Sequence, residues 1–132
     1  MAKYVIGPDV ALALAEREAA VSPQHRLLAP TLLRSQVLAQ LYTEVRRGTL
    51  DRQQADRRLD YLRGLQIRLL GDRVLQRAAW RIAQDLDWAD TFVAEYLALT
   101  TLQADALVIR DAALAQAACR VVPVVDMDTL LG

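Results

Sequence analysis

Ala106-Leu-Val-Ile-Arg-Asp-Ala-Ala-Leu-Ala115 is the stretch that decides the fold. Ala106–Ile109 is an unbroken apolar run, which suits a short strand buried on both faces. Arg110 and Asp111 stop that run, and Ala112–Ala118 continues as a small helix that Asp111 is placed to cap. A strand leading directly into a helix is the building unit of a parallel sheet, because the chain must cross back before the next strand begins. The amino terminus reads the same way. Lys3–Ile6 is a short apolar run stopped by Gly7 and Pro8, and Asp9 then precedes a helix over Val10–Ala15 in an N-cap arrangement.

Outward from these two units the alternation continues. Leu27–Leu28 is a brief buried segment, and Pro30 suits the first turn of a helix. Leu33, Val37, Leu41 and Val45 then recur at helical spacing through Arg47. Gly48 ends that helix, and Thr49 or Asp51 caps the next, whose apolar face includes Leu59, Leu62 and Leu65. Ile67–Leu70 reads as a strand between Gly64 and Gly71. Asp72 starts a helix carrying Val74, Leu75, Ala78, Ala79 and Ile82. Asp87–Asp90 is a polar connection to a helix over Thr91–Leu102, and Val121–Val125 is a last strand. The fold class is therefore α/β, a small central parallel sheet with helices on both faces. In such sheets ligands sit beyond the carboxyl ends of the strands, which places Gly7–Asp9 and Arg110–Asp111 at the expected site.

The chain of 132 residues has the length of one domain, 1–132, and shows neither repeat nor linker. Its apolar runs fall far short of the ~20 residues that span a bilayer. Cys119 and His25 are single representatives of their types, so zinc clusters and internal disulfides are excluded and a reducing cytoplasm is the simplest setting. His25 and Cys119 read as a loop residue and a small buried or half-buried residue, Trp80 and Trp88 as core or helix-packing aromatics, and Glu44 and Glu95 as solvated helix positions. Net charge is zero but unevenly spread. Ten arginines stand between Arg46 and Arg81 against Asp51, Asp56, Asp60 and Asp72, whereas eight acids after Ile82 face only Arg110 and Arg120. Such asymmetry fits either a polyanion-facing surface or an ordinary solvated helix face.

Four stretches together resemble the PIN-domain proteins of the VapC toxin type. They are Tyr4-Val-Ile-Gly-Pro-Asp-Val-Ala-Leu-Ala-Leu14, Leu27-Leu-Ala-Pro-Thr-Leu-Leu-Arg-Ser-Gln-Val37, Phe92-Val-Ala-Glu-Tyr-Leu-Ala-Leu-Thr100 and the opening stretch Ala106–Ala115. The resemblance covers nearly the whole chain and implies a PIN-like fold. It also implies a metal-dependent endoribonuclease, the toxin of a toxin–antitoxin pair, dimeric and held by a small antitoxin. The family's site gathers four acids around Mg²⁺ or Mn²⁺, hard ions that need oxygen ligands and that activate water at the cleaved phosphate.

Position by position, three of those four acids are replaced here. Gly7 stands at the end of the first strand, Gln36 on the helix after Leu-Ala-Pro, and Val93 beside Phe92. Asp111 alone matches. Each lost carboxylate removes roughly 1–4 kcal/mol of attraction for a cation, so activity is expected to be weak or lost. A rearranged site is the alternative, with Asp9, Asp90 and Asp111 as the catalytic acids and Asp9 and Asp111 as metal ligands. Asp9, Asp90 and Asp111 each have a second reading as the cap of the helix that follows. RNA, if bound, would meet Arg46, Arg47 and Arg110. A non-catalytic module would instead hold a protein partner, in an apolar groove between the helix Thr31–Arg47 and its successor.

Overall fold

The computed structural model describes residues 1–131. In chain order the elements are β1 (Ala2–Ile6), α1 (Pro8–Arg17), β2 (His25–Pro30), α2 (Leu32–Arg46), α3 (Arg52–Gly64) and β3 (Ile67–Leu70). They continue as α4 (Arg73–Asp85), α5 (Phe92–Gln103), β4 (Ala106–Val108), α6 (Ala112–Ala118), β5 (Val124–Val125) and α7 (Asp128–Leu131). The five strands form one parallel sheet in the order β3-β2-β1-β4-β5. Helices α1, α2 and α3 pack together, as do α4 and α5, with α5 lying across β1, β2 and β4. Right-handed crossovers put the two groups on opposite faces.

Burial explains why the short apolar runs are strands. Val5 and Ile6 in β1, Leu27 to Pro30 in β2, and all of β4 are inaccessible, as expected of strands covered on both faces. Leu14 from one helical layer and Leu97 and Leu99 from the other complete the core. Side-chain capping fixes the starts of α3 and α4. Asp51 accepts from Gln54 N at 2.8 Å while Gln54 returns a bond to Asp51 N, a capping box, and Asp72 accepts from Leu75 N at 2.8 Å.

Several sequence expectations are corrected. Pro30 ends β2 rather than opening α2, and the ladder runs on through Thr31 N to Leu70 O at 3.2 Å. The last strand shrinks to Val124–Val125, because Val121 and Val122 close a turn on Ala118. Trp80 is not a packing residue: 70% of it is exposed, and the seat against α5 is taken by Leu75, Ala79 and Ala83 of the same helix. Cys119 is exposed. His25 is the first residue of β2 rather than a loop residue, and its ring stands edge-on to Tyr4 with centroids 5.1 Å apart. No helix among the described residues is long and apolar enough to cross a membrane.

Candidate functional site

β1 and β4 are neighbours, and the connections that follow them lead in opposite directions along the sheet, from β1 to β2 and from β4 to β5. A crevice opens at that switch point, beyond the carboxyl ends of β1 and β4. Gly7, Asp9, Arg110 and Asp111 all stand there.

Asp9 is not the N-cap that its position suggests. Gly7 is the N-cap, without a side-chain bond, and Pro8 takes the first helical position, where its missing N–H costs nothing. Asp9 therefore sits inside the first turn of α1. Its Oδ1 accepts from Val10 N at 2.8 Å, and its Oδ2 faces Arg110 N at 3.4 Å. One carboxylate thus ties the end of β1 to the end of β4. Its Oδ1 also lies where a Gly7 side chain would go, 3.1 Å from an ideal Cβ.

The second part of the site comes from α2 and α5. Tyr96, buried in α5, donates its hydroxyl to Gln36 Oε1 at 2.5 Å. Burial raises Tyr96 well above the ordinary tyrosine value of 10.0, and the negative charges of Glu95 and Asp9 push it further. It therefore stays a protonated donor throughout the neutral range. Gln36 is thus a neutral acceptor satisfied by a neutral phenol. Burial also raises Glu95, which is half-buried beside this bond and not the solvated helix position expected of it. The resemblance assigns no role to Tyr96 or Glu95. The only sequence signal is for Tyr96, whose i, i+3 spacing from Val93 sets it one helical turn along the same face.

The remaining expected acids act locally. Asp111 is exposed and caps α6, its Oδ1 accepting from Ala113 N at 2.9 Å and Leu114 N at 3.2 Å. Asp90 is exposed and turns the chain into α5 through Phe92 N at 3.2 Å. Among the described residues no three His, Cys, Asp or Glu side chains are grouped so as to hold a metal ion. The rearranged triad of Asp9, Asp90 and Asp111 is therefore not assembled, and this donor set does not fit Mg²⁺ or Mn²⁺, which need several oxygen ligands at once. Arg46, Arg47 and Arg110 are not one surface either. Arg110 is at the crevice, but Arg46 and Arg47 close α2 at its far end, about 20 Å along a helix that leaves the carboxyl edge.

The expected groove is present. It measures about 460 Å³ and lies between α2 and α3, floored by Leu33, Val37, Leu59 and Leu62 and flanked by Arg34 and Arg63. Leu38 stands on its rim with 57% of its surface exposed. Leu41, the next turn of α2, is only 1% exposed and belongs to the core, so it cannot report on the groove.

These features define a small α/β protein with a crevice at the switch point of a parallel sheet. The crystal structure of PAE2754 from Pyrobaculum aerophilum shares that fold. The likeness spans 98% of this chain and 93% of that one, with a TM-score of 0.76 at 22% sequence identity. No family model matches the sequence, and a search of curated proteins finds no match.

The Tyr96–Gln36 pair has a pH signature. A hydroxyl held above its unfolded value stabilises the fold fully below pH ~10, and that contribution is lost as pH rises through the raised value. The unfolded chain releases this proton first, so stability falls with pH on the alkaline side. Tyr96→Phe is expected to cost about 1 kcal/mol at neutral pH by leaving Gln36 without its donor, yet to decline less steeply above pH ~10. Urea midpoints measured from neutral to alkaline pH check both statements. Parallel alkaline slopes for the two proteins would refute the assignment.

Proposed function

We infer that this chain is a VapC-type PIN domain that has given up the nuclease chemistry and serves as a binding module for a small protein partner. The carrying observation is the Tyr96–Gln36 hydrogen bond: a closed neutral pair stands where the resemblance requires a metal-binding acid. The absence of any group of three acids among the described residues supports the same reading. The α2–α3 groove supplies the binding surface, with apolar walls for the alternate or i, i+3, i+4 anchors of an incoming segment and Arg34 and Arg63 for its acidic flanks. A short antitoxin-like polypeptide has that chemistry, and dimerisation of the chain itself is compatible with it.

The second reading, a nuclease with rearranged acids, is favoured by the contact of Asp9 with Arg110 N, which brings Asp9 beside the strand end that carries Asp111. One experiment separates the two. Parent and Asp111→Asn proteins are incubated with a mixed RNA substrate and Mg²⁺ or Mn²⁺. Equal silence is expected, with both proteins folded by circular dichroism. Divalent-dependent cleavage by the parent that Asp111→Asn abolishes would overturn the binding-module reading.

A further inference from the structure

A separate hollow lies at the edge of the sheet opposite the crevice, where β1, β2 and β3 begin. It measures about 820 Å³, a ligand-sized volume, and meets the α2–α3 groove only at Leu65 and Ile67. Lys3 is the Cα partner of Arg26, and Leu28 is the partner of Arg68. Side chains two apart on a strand share a face, so Lys3, Arg26 and Arg68 leave the sheet on one side. All three are exposed and line the hollow, and no aspartate or glutamate lines it. The salt bridges among the described residues, Arg52–Asp56 and Arg63–Asp60, use none of them. Asp105 Oδ2 accepts from Lys3 N at 2.8 Å, and that side chain stands outside the lining. Arg26 Nε donates only to the sulfur of Met1, at 3.0 Å, which leaves its charge unmet.

Two helices end at this edge, α3 at Gly64 and α5 at Gln103, and both residues line the hollow. Each carboxyl terminus carries about half a negative charge, so the two offset about one cation of the three. Roughly two positive charges remain. His25 adds a fourth polar group. Its Nδ1 is buried and has no hydrogen-bond partner among the described residues. Such a nitrogen has lost water without a replacement, and the like charges of Lys3 and Arg26 on paired positions repel. One ligand relieves both. We propose that this hollow binds a small organic dianion. Its charged head meets Lys3, Arg26 and Arg68 and accepts a hydrogen bond from His25 Nδ1, while its carbon body lies on Val21, Leu65 and Ile67. A phosphate monoester and a dicarboxylate share that chemistry, whereas a monoanion leaves one charge unmet. The site is about 13 Å along β1 from Gly7 and does not rest on the function proposed above.

The test is calorimetric titration of the full chain at neutral pH with phenyl phosphate, phthalate and benzoate. At least one of the two dianions is expected to bind, the tighter naming the head group, and benzoate to bind far more weakly. Arg26→Gln/Arg68→Gln, at exposed positions and checked for folding by circular dichroism, is expected to lower affinity about tenfold or more. Arg73→Gln removes a cation just past the carboxyl end of β3, at the other edge, and is expected to change little. His25 is the single histidine, so its ring signals in a nuclear magnetic resonance spectrum are unambiguous. They are expected to move and to saturate with the calorimetric isotherm. Silence of both dianions would overturn the proposal. So would benzoate bound as tightly, His25 signals unmoved at saturation, or Arg73→Gln as damaging as the double variant.

Discussion

Leu41→Asp is expected to leave the chain unfolded, while Leu38→Asp, three residues away on the same helix, leaves it folded and without its groove. Leu41 is 1% exposed within the core. Removing a buried leucine costs about 2–5 kcal/mol in transfer and cavity energy, and an unpaired carboxylate in its place adds several more. The sum approaches or exceeds the whole stability of a typical domain, about 5–15 kcal/mol. Leu38 is 57% exposed on the groove rim, so its replacement should shift stability by only about 0.5 kcal/mol. It nevertheless sets a negative charge in the path of an apolar segment with acidic flanks. Circular dichroism and urea unfolding check the stability contrast. Loss of a co-expressed small partner by Leu38→Asp, with the fold intact, checks the surface. A folded Leu41→Asp protein would mean that α2 does not pack as described.

The second large effect is on metal affinity. Gly7→Asp, Gln36→Glu and Val93→Asp together replace the three neutral residues with acids at the positions the resemblance marks. Each position adjoins one of two side chains, Asp9 or Tyr96. Gly7 adjoins Asp9, Gln36 is bonded to Tyr96, and Val93 precedes Tyr96 by one turn. Three added carboxylates at roughly 1–4 kcal/mol each strengthen cation binding by several orders of magnitude. The cost falls on the metal-free protein. Mutual repulsion rises, and the new Gly7 side chain meets Asp9 Oδ1 at 3.1 Å, so Asp9 must rotate. The triple variant is therefore expected to be less stable than the parent without metal and to regain stability as Mn²⁺ is added, whereas the parent barely responds. Calorimetric Mn²⁺ titration and melting curves measure both. A triple variant as indifferent to Mn²⁺ as the parent would show that these positions do not converge on one site.

Periodicity located most of the fold. Ile67–Leu70 and Ala112–Ala118 were legible to the residue, since turn glycines or a capping aspartate bound them on the side where each begins. The parallel α/β class followed from buried runs separated by helical patterns, and so did the crevice at Gly7 and Asp111. That Gly7, Gln36 and Val93 carry no charge is a matter of residue identity, and the chain alone states it. Boundaries failed where two elements compete for one residue. Pro30 suits a helix start by its fixed φ, yet its carbonyl side still belongs to the sheet.

What the sequence could not state is which side chains meet. Gln36 and Tyr96 are sixty positions apart and bond only because α2 and α5 both approach the carboxyl edge of β1 and β2. Asp9 reads as a cap until Pro8 moves the helix start and turns its carboxylate toward Arg110, 101 positions away. Trp80 reads as core by hydrophobicity alone, but on α4 it lies about 140° from Leu75 and about 100° from Ala79, outside the buried face and in water. Local sequence determines which elements form, because capping, turn chemistry and periodicity act within a few residues. Contacts between elements depend on how those elements are packed around one core, and that the tertiary structure alone decides.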